Sequence, residues 1–455
     1  MLGAAWRVAL ALCALLLPAC DSAVPTANGP RAASNAGLAR PWPKRPNAAE
    51  GRQLGPQASL LPFLAALEGI ETGLIEAPVS ILQIGDSHTA ADLLSGRLRE
   101  LLQQRFGAAG RGMLPPGIPY RYYRPHLVEV AQSDGWQPSS SADRDAVGPF
   151  GLAGLVQRTG RAGERMTLGS TEAAGFDRGF VEVARAPGGG NVAVEIDGRP
   201  VRQIATAAAQ DGVEWVEFDA PAHSHELSLT AAGDGSVTVL SWGVQRRHPG
   251  VLYENFGIIG ARVGIIGHWD RAVLAEELAR RGPALIIVAF GTNESVAREA
   301  ALDGYGETFA ARVSELADAA PQSAILILGP PDVNRRYPAG TSGACGAAAA
   351  ESATKPRSRT ARARAAKPPV WAPPPGLVRV RAAQRQAAER NGWYFWDWSE
   401  AMGGPCGMDR WTRADPPLGA DDHIHLRAAG YRLTAERLFE ALMGEYRRYR
   451  ARPIG

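Results

Sequence analysis

Five apolar runs of strand length, separated by stretches with helical spacing, constrain this chain more than anything else in it. The runs are VSILQI (79–84), ENFGII (254–259), ALIIVAF (284–290), SAILIL (323–328) and WYFWDW (393–398). Runs that stay apolar without alternating suit strands covered on both faces, as in a parallel sheet between helix layers. Helices are expected near 88–106, 268–281, 297–319, 376–391 and 427–447. In the last, Ala435, Leu438, Phe439, Leu442 and Tyr446 fall on one face, the stripe of an amphipathic helix. Strands alternating with helices predict an α/β fold on a parallel sheet.

Residues 126–250 break that rhythm. Short alternating stretches such as GFVEVARA, NVAVEIDG, VEWVEFDA, HELSLTAAG and SVTVLSWGVQ follow one another, separated by Gly188-Gly189-Gly190, Asp197-Gly198 and Gly233-Asp234-Gly235. Strands and turns at this spacing indicate an all-β sandwich. The α/β domain is therefore expected in two pieces, 53–125 and 251–455, with the β domain inserted after its first strand and helix. Trp215 and Trp242 lie within the inserted strands, where core packing is expected before sugar stacking.

The ends of the pattern carry different information. Arg7 followed by the apolar stretch Val8–Leu17 reads as a signal peptide over residues 1–20, too short for a stable span. Its LPAC ending resembles the bacterial lipobox, which implies lipidation of Cys20. Residues 21–52, rich in Pro, Ala and Asn, read as a tether. The address expected from this leader is the periplasm, with a lipid anchor in the inner or the outer membrane. With Cys13 removed and Cys20 lipidated, Cys345 and Cys406 remain as an expected disulfide in an oxidising compartment.

From Ala339 to Pro375 the chain is basic, rich in Pro and Ala, and without an acidic residue after Glu351. A solvated loop accounts for it, and attraction to an anionic envelope polymer is the functional alternative. The chain of 455 residues has a formal charge of +3, too near balance to imply a nucleic-acid partner. No internal apolar run is long enough to cross a bilayer.

In open α/β sheets, ligands bind at the carboxyl ends of the strands. Each polar block of this chain sits there. Gly85-Asp86-Ser87-His88 follows the first strand, Gly260-Ala261-Arg262 the second, Gly291-Thr292-Asn293-Glu294 the third, and Asp422-His423-Ile424-His425-Leu426 precedes the last helix. This set resembles the SGNH (GDSL-type) hydrolase family through GDS at 85–87, GIIGAR at 257–262, GTNE at 291–294 and DHIHLRAAGY at 422–431. The resemblance implies a three-layer, flavodoxin-like parallel sheet and a carboxylic ester hydrolase with no metal or cofactor.

It also implies roles. Ser87 is the nucleophile, His425 the base that takes its proton, and Asp422 the group that holds the imidazole. The oxyanion donors are the backbone N–H groups of Ser87 and Gly260 and the side-chain amide of Asn293. His423 competes with His425, and Asp421 with Asp422, and both lose to the spacing of the family block. Read instead as ligands, these four residues would suggest a metal-dependent deacetylase. His88 is expected exposed and without a catalytic part, and Asp86 to support the turn.

GDSHTAAD (85–92), GRGM (110–113), FWDWSEAMGG (395–404) and the β insert look like one subgroup, the peptidoglycan O-acetylesterases of Gram-negative envelopes, whose insert resembles a carbohydrate-binding module. The implied reaction removes the acetyl group from the C6 hydroxyl of N-acetylmuramic acid through an acetyl-enzyme. The same machinery would serve an esterase, or an O-acetyltransferase, acting on another acetylated envelope glycan or exopolysaccharide. A non-catalytic envelope-binding lipoprotein would have no need of the complete set.

Overall fold

The computed structural model describes residues 40–47, 49–50, 56–346 and 368–451. The expected signal peptide, Cys20 and most of the expected tether lie outside the described residues, as does 347–367 of the basic stretch. Five parallel strands form the central sheet: β1 (Pro78–Gly85), β2 (Gly250–Gly257), β3 (Leu285–Ala289), β4 (Ala324–Leu328) and β5 (Tyr394–Trp396), in the spatial order β2-β1-β3-β4-β5. The register is continuous, with Ile81 opposite both Tyr253 and Leu285, and Leu285 opposite Ala324. This is the flavodoxin-like order, in which the direction of winding reverses beside the first strand.

The continuous apolar runs divide between two cores. Leu285, Ile287, Leu326 and Leu328 face a layer made by α1 (Leu61–Glu71), α2 (Leu94–Phe106) and α3 (Ala428–Arg450). Ile286, Val288, Ile325 and Ile327 face the opposite layer, from the helices Arg271–Arg281, Tyr305–Ala319 and Pro375–Asn391. Successive strand residues point to opposite faces, so burial on both sides requires an unbroken apolar run. Each such side chain contributes roughly 1.5–3 kcal/mol of transfer free energy. The fold is a three-layer α/β sheet interrupted by an all-β insert.

The insert consists of two antiparallel sheets. One pairs Gly212–Ser224, Phe176–Arg185, Val237–Gln245, Leu155–Thr159 and Gln137–Ser140 in that order. The other pairs Val128–Gln132, Arg165–Ser170, Glu226–Ala231, Asn191–Ile196 and Arg199–Ala205. A core of Val181, Val183, Val194, Leu229, Val239 and Trp242 lies between them. The short strand Gly112–Leu114 also joins the first sheet, with Leu114 opposite Trp242, so the β insert recruits residues well before 126. Trp242 is fully buried and donates its indole N–H to the Pro115 carbonyl, 2.9 Å away. Trp215 stacks on Phe180 with centroids 4.2 Å apart. Both tryptophans are packing residues.

Among the element boundaries that differ from the sequence reading, two have clear physical causes. Strand β2 begins at Gly250 rather than at 254, because its polar residues are buried and satisfied. Glu254 accepts from the Met113 N–H at 2.7 Å and from Ser80 Oγ at 2.8 Å, and pairs with Arg281 at 2.5 Å. Asn255 accepts from both Arg99 and Arg111. The helix expected over 88–106 is broken. One turn, Ser87–Ala90, ends before Asp92, which sits at φ +48°, and α2 starts at Leu94. The Asp92 carboxylate holds that break by accepting from Ser95 Oγ at 2.7 Å and from the His126 N–H at 2.8 Å.

Candidate active site

Strand β1 runs to Gly85, the backbone turns, and Asp86 caps the short helix that Ser87 opens. The Asp86 side chain accepts from the His88 N–H at 3.0 Å. Aspartate is a strong N-cap residue because it satisfies an otherwise orphaned helix donor. Gly85 is required here: a Cβ would lie 2.3 Å from Thr89 Oγ1 and 2.6 Å from the Ala289 carbonyl. The helix is packed against the sheet that tightly, and Ser87 is aimed off its first turn.

The last loop brings the other groups to that serine. Ser87 Oγ lies 2.9 Å from His425 Nε2, and His425 Nδ1 lies 2.7 Å from Asp422 Oδ2. The other Asp422 oxygen accepts from the N–H groups of Ile424 and His425, each at 2.9 Å. Burial, the largest single effect, pushes the Asp422 carboxyl up. The hydrogen bonds from the His425 ring and from those two N–H groups outweigh it, so the carboxyl stays below its ordinary value. An ionised Asp422 accepts a hydrogen bond from the Nδ1–H of His425, which leaves Nε2 bare to accept from the Ser87 hydroxyl.

Of the residues expected as oxyanion donors, Gly260 and Asn293 sit on two neighbouring turns. The Ala261 N–H donates to the Ile258 carbonyl at 3.0 Å, and Gly260 occupies that turn at φ +76°, a conformation that favours glycine. Asn293 lies on the short helix Thr292–Ser295 after β3. Its Nδ2 donates to the Ala261 carbonyl at 2.9 Å and stands 3.5 Å from Asp86 Oδ2, too far for a good second bond. Glu294 locks the two turns together by accepting from the Val263 N–H at 2.8 Å. Burial raises the Glu294 carboxyl above its ordinary value and pushes Asp86 up to about 7.

His88 corrects the sequence reading. It is 3 % exposed, not a surface residue. Its Nδ1 lies 2.8 Å from the Tyr431 hydroxyl, its ring meets Trp398 edge-on, and its centroid is 5.2 Å from that of His425. Burial holds its pKa down to about 3, with the His425 charge adding to the effect, so it stays neutral beneath the triad. Partners from α3 and from beyond β5 bury it, and nothing within the first block foretells them.

The competing residues point elsewhere. His423 stacks on Trp371, and Asp421 pairs with Arg427 at 3.0 Å. Among the described residues no group of three or more His, Cys, Asp or Glu is placed to hold a metal ion, and no helix is long and apolar enough to cross a membrane. A disulfide joins Cys345 to Cys406.

Two motifs acquire a structural meaning. Asp92, from GDSHTAAD, and Arg111, from GRGM, meet in a buried network. Asp92 pairs with Arg99 at 3.0 Å and with Arg111 at 3.5 Å. Both arginines donate to Asn255 Oδ1, and Asn255 Nδ2 donates to the Thr89 carbonyl in the Ser87 helix. Burial would raise the Asp92 carboxyl, but the two guanidiniums hold it down at about 2. Trp371 is the site-loop residue that sequence reasoning missed. It lies in the Pro/Ala-rich basic stretch, where an aromatic carries no periodic signal.

Residues 228–433 match the model of the GDSL-like Lipase/Acylhydrolase family. The match takes in the second, third and last polar blocks but not the Ser87 block, which the fold brings to them. The chain is similar to a solved structure of a peptidoglycan O-acetylesterase ("in action, 5 min"), at 25% identity and a TM-score of 0.67, over 89% of this chain and 99% of that one. A family two carbohydrate esterase from Clostridium thermocellum in complex with cellohexaose aligns over 68% of this chain and 99% of its own, at 13% identity. Its TM-score of 0.28 is too low to bear on fold or activity. No curated protein matches the chain by sequence.

Proposed function

From the match to the GDSL-like lipase/acylhydrolase family as premise, we propose that this carboxylic ester hydrolase removes O-acetyl groups from the C6 hydroxyl of N-acetylmuramic acid in peptidoglycan, through an acetyl-enzyme on Ser87. The observation that carries the reading is the chain of contacts from Ser87 through His425 to Asp422, 2.9 Å and 2.7 Å long.

His425 takes the Ser87 proton as Oγ attacks the acetyl carbonyl, and Asp422 keeps the imidazole in the tautomer that can accept it. The carbonyl oxygen becomes an oxyanion facing the N–H groups of Ser87 and Gly260 and the Asn293 amide. His425 then returns the proton to the departing sugar hydroxyl. Water repeats the sequence to free acetate. Loss of one oxyanion donor, as in Asn293→Ala, lowers kcat by roughly 10²–10³.

The similarity to a peptidoglycan O-acetylesterase at 25% identity over most of both chains favours this substrate. A second reading, an SGNH acetylesterase or O-acetyltransferase on another envelope glycan or exopolysaccharide, uses the same groups with another acceptor. We also propose that Cys20 is lipidated and tethers the enzyme in the periplasm, to the inner or outer membrane. Incorporation of labelled palmitate that is lost in Cys20→Ser tests the anchor.

The test of the substrate is acetate release from O-acetylated peptidoglycan, with a sugar acceptor added in a parallel reaction. Release by wild type and not by Ser87→Ala is expected. Activity on an aryl acetate without release from peptidoglycan moves the substrate to another glycan. Acetylated acceptor in place of acetate makes the enzyme a transferase.

A further inference from the structure

We infer that a pocket walled by the β insert, beside the Gly260 turn, is the subsite for a neutral sugar ring adjoining the acetylated one. The inference rests on the function proposed above. The pocket has a volume of about 250 Å³ and is bounded by Pro138, Ser139 and Asp143 of the insert, by Tyr120, and by Ile258 and Ile259. That is just below the usual range for a small-molecule site, room for one ring and not for an oligosaccharide.

The pocket is bonded to both halves of the reaction centre. Ile258 and Ile259 immediately precede Gly260, and the Ile258 N–H donates to the Gly85 carbonyl at 3.0 Å, two residues ahead of Ser87. The Tyr120 hydroxyl donates at 3.0 Å to the carbonyl of Ala90, the last residue of the helix that Ser87 opens. The pocket walls are thereby tied to the strand end and the short helix that carry Ser87, and the proposal seats the neighbouring ring on that side of the ester.

The chemistry of the walls selects the ligand. A pyranose presents apolar C–H faces and hydroxyl edges, and the pocket offers both counterparts. Pro138, the Tyr120 ring and Ile259, which is 56% exposed, supply apolar surface. Ser139 and Asp143 supply a hydroxyl and a carboxylate. One Asp143 oxygen accepts from the Ser140 N–H at 2.9 Å, and the other is left for sugar hydroxyls. No lysine or arginine lines the pocket, so a substrate arm bearing carboxylates would meet Asp143 with no cation to offset the repulsion. The subsite takes an uncharged sugar, and a peptide-bearing arm must lie elsewhere. On this account the β insert is part of the active-site cleft and not only a separate anchor on the glycan.

The test compares kcat/KM on a soluble O-acetylated oligosaccharide of at least two sugars with kcat/KM on an aryl acetate, which has no second ring. Ser139→Trp fills the pocket, and Asp143→Ala removes its acceptor. The ratio of the two specificities is expected to fall about tenfold in Ser139→Trp and severalfold in Asp143→Ala, mostly through KM. An unchanged ratio in both variants overturns the subsite, whether the two activities persist or fall together. Wild-type activity in the same series tests the substrate separately. If peptidoglycan glycan is ignored and another acetylated oligosaccharide is cleaved, the peptidoglycan reading fails and the ratio is taken on that sugar. If no oligosaccharide is cleaved, the subsite fails with it.

Discussion

The Trp371 ring lies flat on the imidazole of His423, with centroids 3.8 Å apart and 9° between the planes. His423 stands at φ +56° between Asp422 and Ile424, a conformation that costs a non-glycine residue about 1–3 kcal/mol unless its surroundings enforce it. They do: its N–H donates to the Ala420 carbonyl at 3.0 Å, and its carbonyl accepts from the Asn334 N–H at 2.9 Å. Arg336 lies over the Trp371 ring, 5.0 Å from its centroid. Trp371 is thus a positioning residue for the loop that presents Asp422 and His425.

Trp371→Ala is expected to lower kcat on an aryl acetate about tenfold with KM unchanged, and Trp371→Phe to restore most of it. A change confined to KM, or equal loss in the Phe and Ala variants, contradicts that role.

The Asp92 network predicts a large stability effect. Arg99 is fully buried, pairs with Asp92 and donates to the Tyr253 carbonyl at 2.7 Å. Arg99→Ala leaves a buried carboxylate short of one partner and is expected to cost about 3–5 kcal/mol in urea unfolding. A cost below about 1 kcal/mol, the range of surface ion pairs, would mean that Arg111 alone compensates the charge.

Two buried carboxyls meet where the insert packs on the helix Arg271–Arg281. Glu182 accepts from Ser241 Oγ at 2.8 Å and Glu277 from the Leu152 N–H at 2.6 Å, while Glu276 and Arg280 stand nearby. Burial raises both, and carries Glu182 from 4.5 to about 7. The folded state therefore holds protons that the unfolded chain has released. The Glu182 share of the resulting stability is complete below about pH 4.5 and is lost as pH rises through about 7, with a slope up to roughly 1.4 kcal/mol per pH unit per proton, and Glu277 acts in the same direction. Unfolding free energies across that window should fall in the wild type and flatten in Glu277→Gln. The same slope in both would contradict this assignment.

The Cys345–Cys406 bridge closes a sequence separation of 61 residues. Chain-entropy reasoning assigns such a loop about 4 kcal/mol. Reductant should lower Tm in the wild type and leave Cys345→Ala/Cys406→Ala unaffected. Two reactive thiols at these positions in denaturant without reductant would contradict the bridge.

The five strands of the sheet and the four polar site blocks were legible because each rests on contiguous sequence: an apolar run or a short polar turn. Ser87, Gly260, Asn293, Asp422 and His425 converge because the sheet collects the ends of its strands. What stayed hidden depends on distant partners. Burial of His88 needs Tyr431 and Trp398. The start of β2 lies ahead of Glu254 and Asn255, polar residues whose burial within the strand depends on Arg281, Arg99 and Arg111. GDSHTAAD and GRGM stood out as patterns, but the ion network joining Asp92 to Arg111 exists only in three dimensions.

The central claim is that Ser87 carries the acetyl group. Its most direct test is acid quenching during turnover, followed by mass spectrometry of the peptide containing Ser87. One acetyl group is expected on that serine in the wild type, little or none when His425 is replaced by Ala, because the base for the attack is gone, and none in Ser87→Ala. Acetate release with Ser87 unmodified, and undiminished in Ser87→Ala, would contradict it.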